Sequence, residues 1–253
     1  MHKLAGKKVL VTAGAQGIGL AISQRMIEAG AHVAVHYHSS AESAQALVAK
    51  ARSNALSACA IRADLTQQAE AEHLIQEVDE QLGGLDVLIN NAGSLIARKT
   101  LEMVDEEFWR EVLDVNLTSC LWVTQAAVPL LCRNPHSSIV NMASLAGHKG
   151  GHAGSLVYST AKGAILTWTR SLATELGPRG VRVNAVAPGL ILGTSFHNTH
   201  TTEASAQATI AGIPLGRAGN ADDVARAVVY LASEYDGFIS GATLDINGGI
   251  YAC

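Results

Sequence analysis

Several things are scarce in this sequence, and each shortage excludes something. Aromatic residues make up only 4% of the 253 positions, the four cysteines are scattered, and neither a basic run nor a long apolar run occurs. Cys59, Cys120, Cys132 and Cys253 form no C-x-x-C pair and no interleaved His cluster, so buried reduced thiols are expected in place of a zinc site or disulfide framework. The net charge of −4, from 18 Lys+Arg against 22 Asp+Glu, supplies no overall field for a phosphate backbone, and a nucleic-acid partner is disfavoured. No segment gives the roughly 18 uninterrupted apolar residues of a membrane span. The opening Met1-His2-Lys3-Leu4-Ala5-Gly6-Lys7-Lys8 is too short and too polar for a signal peptide. A cytoplasmic protein with no membrane partner is therefore expected. No Pro/Ser-rich linker, low-complexity tract or internal repeat marks a boundary, which predicts one domain over residues 1–253.

What is present is 48% hydrophobic residues and 24 glycines in an ordered alternation. Short β-rich apolar runs at Lys8 to Thr12 and His32 to Tyr37 alternate with helical periods at Gly19 to Ala29 and Ala41 to Arg52. Further apolar runs lie at Asp86 to Asn90, Ser138 to Met142, Val181 to Val186 and Thr243 to Ile246, with room for crossover helices between them. Continuous runs such as Val9-Leu10-Val11 and Val87-Leu88-Ile89 suit parallel strands buried on both faces. The pattern predicts an α/β fold, a doubly wound parallel sheet of about seven strands with helices on both faces. The least patterned stretch, Leu190 to Ile213, lies where such sheets bind ligands and is expected to act as a substrate lid.

Ala13-Gly14-Ala15-Gln16-Gly17-Ile18-Gly19 follows the first strand and opens a helix. Small residues there let the backbone turn tightly and approach a pyrophosphate, whose charge rests on the free N–H groups of the helix N-terminus. Thr-x-Gly-x-x-Gly-Ile-Gly, Asn90-Asn91-Ala92-Gly93 and Tyr158-Ser159-Thr160-Ala161-Lys162 together resemble the short-chain dehydrogenases/reductases, and within them the 3-oxoacyl-carrier-protein reductases. Asp64-Leu65, Asn116, Ser144, Pro188-Gly189 and Asp245-Ile246-Asn247-Gly248-Gly249 follow in the family's order, so the resemblance covers essentially the whole chain. It implies a Rossmann-type fold, an NAD(P) cofactor and a tetramer built on Glu106 to Leu131, Gly154 to Gly177 and the C-terminal segment.

One departure falls in the glycine loop, where the family usually has glycine directly after the Thr and this chain has Ala13. Because a Cβ resists positive φ, either the turn keeps negative φ at Ala13 or Gly14 takes up the strain. A second feature concerns cofactor choice. An NAD enzyme of this architecture carries an acid at the end of the second strand for the ribose 2′-hydroxyl. Here the segment reads His36-Tyr37-His38-Ser39-Ser40, with no carboxylate before Glu42, so NADP is expected over NAD with its 2′-phosphate accepted by His and Ser donors; the alternative is that His36 and His38 merely cover the strand end and either cofactor binds. No Arg or Lys is present there to make a stronger clamp. Asp64 resembles the family's adenine-binding acid and could equally cap a helix starting near Gln67. The remaining cofactor contacts implied are Gly14, Gln16, Gly17, Ile18, Gly19, Leu65, Asn91, Ala92, Gly93, Tyr158, Lys162, Pro188, Gly189 and Ile191.

Tyr158 and Lys162 are four apart and share one helix face. A nearby ammonium favours the phenolate, which makes Tyr158 the expected general acid/base. The resemblance implies that Ser144 donates a hydrogen bond to the substrate oxygen, although without it Ser144 reads equally as a helix or turn cap. Asn116 is implied to hold a water linking Lys162 to solvent. Hydride would pass between the nicotinamide and a carbonyl carbon, with no metal required because Ser144 and Tyr158 polarise the oxygen. Substrate walls are expected from Ser94, His148, His152, Leu190 and Phe196, with Lys149, His197 and His200 able to favour a polar or anionic molecule. A small polar substrate such as a sugar derivative or a 3-oxoacyl thioester is expected. The alternatives are a pteridine-type reductase, suggested by His36-Tyr37-His38-Ser39, and a cofactor-binding regulatory protein without catalysis, which the presence of Ser144, Tyr158 and Lys162 together disfavours.

Overall fold

The computed structural model describes residues 4–194, 199, 201–233 and 237–252. Seven strands, β1 (Lys8–Val11), β2 (His32–Tyr37), β3 (Ala58–Arg62), β4 (Val87–Asn90), β5 (Ser137–Met142), β6 (Val181–Pro188) and β7 (Thr243–Ile246), form one parallel sheet. Their order is β3-β2-β1-β4-β5-β6-β7. Val9 of β1 lies opposite Val33 of β2 on one side and Val87 of β4 on the other. The chain therefore winds outward from β1 in one direction and, from β4, in the other. The loops leaving β1 and β4 diverge, which opens a crevice at the carboxyl ends of the strands.

Successive side chains of a strand point to opposite faces, so each face buries its own set. Val9, Val11, Val33, Val35, Val87 and Ile89 pack beneath α1 (Gly17–Glu28), α2 (Ala41–Ser53) and α9 (Ala221–Ala232). Leu10, Ala34, Leu88 and Ile139 pack beneath α3 (Gln68–Leu82), α5 (Ser119–Leu131) and the end of α7 (Leu156–Leu176). Burial on both sides is why β1 and β4 read as unbroken apolar runs. The edge strand β3, Ala-Cys-Ala-Ile-Arg, buries fully only Ile61 and gives the faintest apolar signal.

The expected helical run from Glu106 to Leu131 is interrupted. α4 (Glu106–Leu113), capped by the Asp105 carboxylate accepting from the Phe108 N–H at 2.8 Å, passes into a single π turn at Asp114–Thr118 before α5 begins. Such turns divert a helix locally and displace its side chains, and this one carries Asn116. Two short helices, α6 (Leu145–Lys149) and α8 (Glu203–Ala211), complete the region around the crevice. Among the described residues no helix is long and apolar enough to cross a membrane.

Candidate active site

The ends of β1 and β4 are stitched together by polar side chains. The Thr12 hydroxyl donates to the Ile89 carbonyl at 3.2 Å and accepts from the N–H groups of Asn91 and Ala92 at 2.8 and 2.9 Å. The Asn91 amide returns to the carbonyls of Thr12 and Ala13 at 3.0 and 3.2 Å. Ala13 then resolves the missing glycine in a way neither expected alternative covers: it adopts positive φ itself, at 47°. Left-handed backbone costs an ordinary residue roughly 1–2 kcal/mol. The offsetting contact comes from β2, where Nδ1 of His36 accepts the Ala13 N–H at 2.9 Å.

That contact overturns the expected role of His36 as a donor to the cofactor phosphate. Its ring is only 2% exposed, and burial pushes its pKa down to about 4, so it is neutral. With Nδ1 accepting from Ala13, the proton resides on Nε2, which donates to the Ala63 carbonyl at 3.0 Å. Both ring nitrogens are occupied inside the fold. Tyr37 is half-buried, while His38 and Ser39 are exposed at the strand end. Ser40 donates to the Gln16 side chain at 3.1 Å and so ties the glycine loop to this segment.

The first turn of α1 is built to receive an anion. Gln16 precedes the helix in extended conformation and makes no side-chain capping bond, and Gln16, Gly17, Ile18 and Gly19 all line one cavity. Helix-terminal N–H groups without a capping side chain are a ready anion site. A Cβ at Gly19 would collide with the Ala13 carbonyl and the Asn91 amide, so only glycine permits this close approach. These observations fit the pyrophosphate of a dinucleotide.

Asp64 does not cap the next helix, because α3 begins at Gln68 with Gln67 as its N-cap. Its carboxylate instead closes a local turn, accepting from the Thr66 hydroxyl at 2.7 Å and the Thr66 N–H at 3.0 Å. Burial works to raise this carboxyl, but the bonds from Thr66, with His38 and Arg62 nearby, hold it below the usual carboxylate range. The Leu65 side chain is buried in the core, Ala92 packs against that core, and neither of these expected cofactor residues lines the cavity.

On the other side of the crevice, Ser144 caps α6, its Oγ accepting from the Ala146 N–H at 3.1 Å. A lone pair makes that bond, which leaves the hydroxyl proton free to donate. Ser144 is also hydrogen-bonded to Tyr158 on α7, so the capping and functional readings hold together. Burial pushes the Tyr158 phenol up to about 12, and the Ser144 hydroxyl opposes this. Burial also pulls the Lys162 ammonium down to about 8; its Nζ donates to the Met142 carbonyl at 2.8 Å and sits 5.7 Å from the Tyr158 ring centre.

The π turn brings Asn116 into this group. It is 1% exposed, its amide donating to the carbonyls of Ser94 and Val112 at 2.6 and 2.9 Å and its oxygen accepting from the Ser94 N–H at 3.1 Å. Gly93 is the meeting point: a Cβ there would lie 2.8 Å from Asn116 Oδ1 and 2.9 Å from Lys162 Nζ. Beside it Ile96 adopts φ 62°, a strained conformation for a branched residue, and packs with Tyr158 around Phe108, Val112 and Val157.

Both halves open onto one cavity of about 660 Å³. Asn91, Gly93, Ser144, Tyr158, Lys162, Pro188, Gly189, Leu190 and Ile191 line it together with the glycine loop, as does His152. The backbone of Ile191 is pinned by a parallel bridge to Gly219. The expected wall residues Ser94 and His148 do not line it. Ser94 is bound to Asn116, and His148 faces Asp245 at 3.4 Å and stacks on Tyr251. Phe196, His197 and His200 lie outside the described residues. Sequence reasoning missed Leu95, Arg98 and Ile250, which line the cavity, while Thr194, Ser205 and Thr209, also in the lining, fall within the stretch expected as a lid. Arg98 could have been noticed as a cation soon after Asn90-Asn91-Ala92-Gly93.

A family model described as enoyl-(acyl carrier protein) reductase matches residues 12–251. A 3-oxoacyl-[acyl-carrier-protein] reductase from Staphylococcus aureus is 37% identical over 246 residues, covering 97% of this chain and 98% of that protein. A short-chain dehydrogenase from Burkholderia cenocepacia, solved in complex with NADP, shares 36% identity with a TM-score of 0.92, covering 99% of this chain and all (100%) of that one. An NADH-dependent reductase responsible for alginate metabolism shares 32% identity with a TM-score of 0.90, covering 99% of both chains. With the sheet order, the glycine cradle and the Ser144–Tyr158–Lys162 group, these likenesses establish that the chain belongs to the short-chain dehydrogenase/reductase family and is an NAD(P)-dependent oxidoreductase that interconverts an alcohol and a carbonyl.

Proposed function

We propose that the protein is a cytoplasmic, NADP(H)-preferring reductase of a small polar carbonyl compound, with a sugar derivative or a 3-oxoacyl thioester as the substrate class. The observation that carries this reading is Tyr158 hydrogen-bonded to Ser144 above Lys162, on the same cavity as the open N-terminus of α1. The α1 turn would hold the pyrophosphate, and Asn91, Gly93, Lys162 and the Pro188–Ile191 backbone the nicotinamide half. When bound, the nicotinamide supplies or accepts the hydride. Ser144, whose proton is directed at the Tyr158 oxygen, would turn it to the substrate oxygen when a substrate lies between them, and Tyr158 delivers a proton to the same oxygen as charge develops there. Burial keeps Tyr158 protonated at neutral pH, so the proton to be delivered is in place. Lys162, charged below a pKa of about 8, restrains the phenolate left behind, and a water held at the π turn that carries Asn116 would restore the proton.

NADP preference is supported by the lack of any carboxylate from His36 to Ala41, with exposed His38 and Ser39 as the remaining donors once His36 is removed from the set. Relatives named for NADP and for NADH lie on either side of this choice. A single domain with residues 190–213 as lid is consistent with Thr194, Thr201, Ser205 and Thr209 along the cavity. A homotetramer would cover apolar side chains left exposed on α4 and α7, such as Trp109 and Leu156. The test is kcat/KM with NADPH and NADH across keto sugars, uronates, 3-oxoacyl thioesters and dihydropterins. NADPH-dependent reduction of a small keto compound is expected; a clear NADH preference or turnover confined to pterins contradicts the proposal.

A further inference from the structure

We propose that the substrate is a small hydroxylated oxo or hydroxy acid whose carboxylate is held at the cavity rim by Arg98 and Lys149; this rests on the oxidoreductase reading above. The loop 150–154 joins α6 to α7 and leads to Tyr158. Lys149 ends α6 at one side of it, His152 lies within it, and all of Lys149, His152 and Arg98 line the cavity. Arg98 is fastened to the same loop, its guanidinium donating to the Ala153 carbonyl at 3.2 Å. Its Cβ sits 2.8 Å from where a Gly154 Cβ would stand, so the stem of Arg98 fills the space that a side chain there would need. The neighbouring Lys99 pairs with Asp105 at 2.9 Å and covers the Phe108 ring, and of these two cations Arg98 is the one that lines the cavity.

The negative charge of the protein lies elsewhere. Although the chain carries 22 acids against 18 bases, no Asp or Glu lines the cavity among the described residues. The sequence from Leu190 to Thr202 contains none either. Lys149 has no hydrogen-bond or ion-pair partner among the described residues, whereas Lys162 is engaged inward on Met142. A local cationic rim on an acidic protein selects anions by local contact, since the overall field opposes them. The rim belongs to the segment that carries Tyr158, while the phosphate cradle is built on α1, so the two anion sites serve different parts of the ternary complex. Ser155, Thr201, Ser205 and Thr209 line the cavity and offer hydroxyl partners to a hydroxylated molecule. The lining includes no Phe or Trp among the described residues, which leaves little to hold a long acyl chain or a fused ring system.

The experiment compares a keto-hexonate with its methyl ester, and a 3-oxobutanoyl thioester as a third arm, in wild type, Arg98→Gln and Lys149→Gln. Charge-assisted bonds are roughly twice as strong as neutral ones, so each variant should raise KM for the acid about ten-fold. Turnover number, and both constants for the ester, should stay within about two-fold, because the rim binds ground and transition states alike. Arg98→Lys should recover part of the loss. Equal kcat/KM for acid and ester in wild type, equal losses on both in the variants, or preference for the thioester over the acid overturns the inference and leaves the oxidoreductase reading standing. Binding to Tyr158→Phe with NADP(H) present reads the rim independently of catalysis. A thermal shift with the acid that exceeds that with the ester supports the inference; equal shifts, or none with either, refute it.

Discussion

On the catalytic side of the crevice Tyr158 and Lys162 are placed by helix periodicity, four residues apart on α7, whereas on the phosphate side Ala13 is held by a histidine 23 residues away. The first arrangement is local, and the spacing of the sequence already contains it. The second depends on β1 and β2 pairing in parallel register, which brings His36 beside the loop that leaves β1. A ring that appeared free to meet a cofactor is in fact consumed in shaping the backbone that meets it.

Substitutions can break either side separately. Among substitutions that leave the reacting side chains themselves in place, the largest effect is expected from Gly93→Ala, whose methyl group would press on Asn116 and Lys162 at 2.8 and 2.9 Å. Displacement of reacting groups on the 1 Å scale costs about 10²-fold in turnover, so kcat should fall by at least that much while the circular dichroism spectrum stays native.

Next comes acid stability. His36 has a folded pKa of about 4 against an ordinary 6.5, so the unfolded chain takes up the proton first as pH falls. Stability should therefore decline between pH 6.5 and 4, by about 3 kcal/mol in total from this group. His36→Asn keeps an acceptor for the Ala13 N–H but cannot titrate. Urea unfolding at a series of pH values should show a shallower acid slope in that variant, and an unchanged slope would contradict the neutral, doubly bonded histidine. The smallest effect is expected from Ala13→Gly. Relief of the left-handed strain should stabilise the protein by no more than about 1 kcal/mol, since glycine also gains freedom in the unfolded chain. Destabilisation beyond about 1 kcal/mol would mean that the Ala13 methyl packs favourably there.

Much of this was legible in the sequence. The strand runs at His32 to Tyr37 and Thr243 to Ile246 match the observed elements, and burial on both faces explains why such runs stand out. The edge strand β3 was fainter because Ala58, Cys59 and Ala60 are small and only partly buried. Ser144, Tyr158 and Lys162 line one cavity; spacing placed only the last two on a common helix face, while Ser144 was expected beside them through the resemblance. What could not be read were properties set by contacts distant in sequence. Helical periodicity across Glu106 to Leu131 hid the π turn that carries Asn116 to Ser94. His148 looked like a wall residue until Asp245 and Tyr251, from the end of the chain, claimed it. Arg98 follows a recognisable motif, but spacing does not set its direction, and the α6–α7 loop takes a hydrogen bond from it through the Ala153 carbonyl.

Reduction at this site depends most directly on the proton held by Tyr158. Steady-state reduction of a keto substrate by Tyr158→Phe, with cofactor affinity measured in parallel by fluorescence titration, isolates that proton, because the ring and its packing remain. General acid catalysis is worth about 10²–10⁴-fold, so kcat should fall by that factor with the cofactor Kd nearly unchanged. A turnover number within a few-fold of wild type would show that the phenol does not deliver the proton.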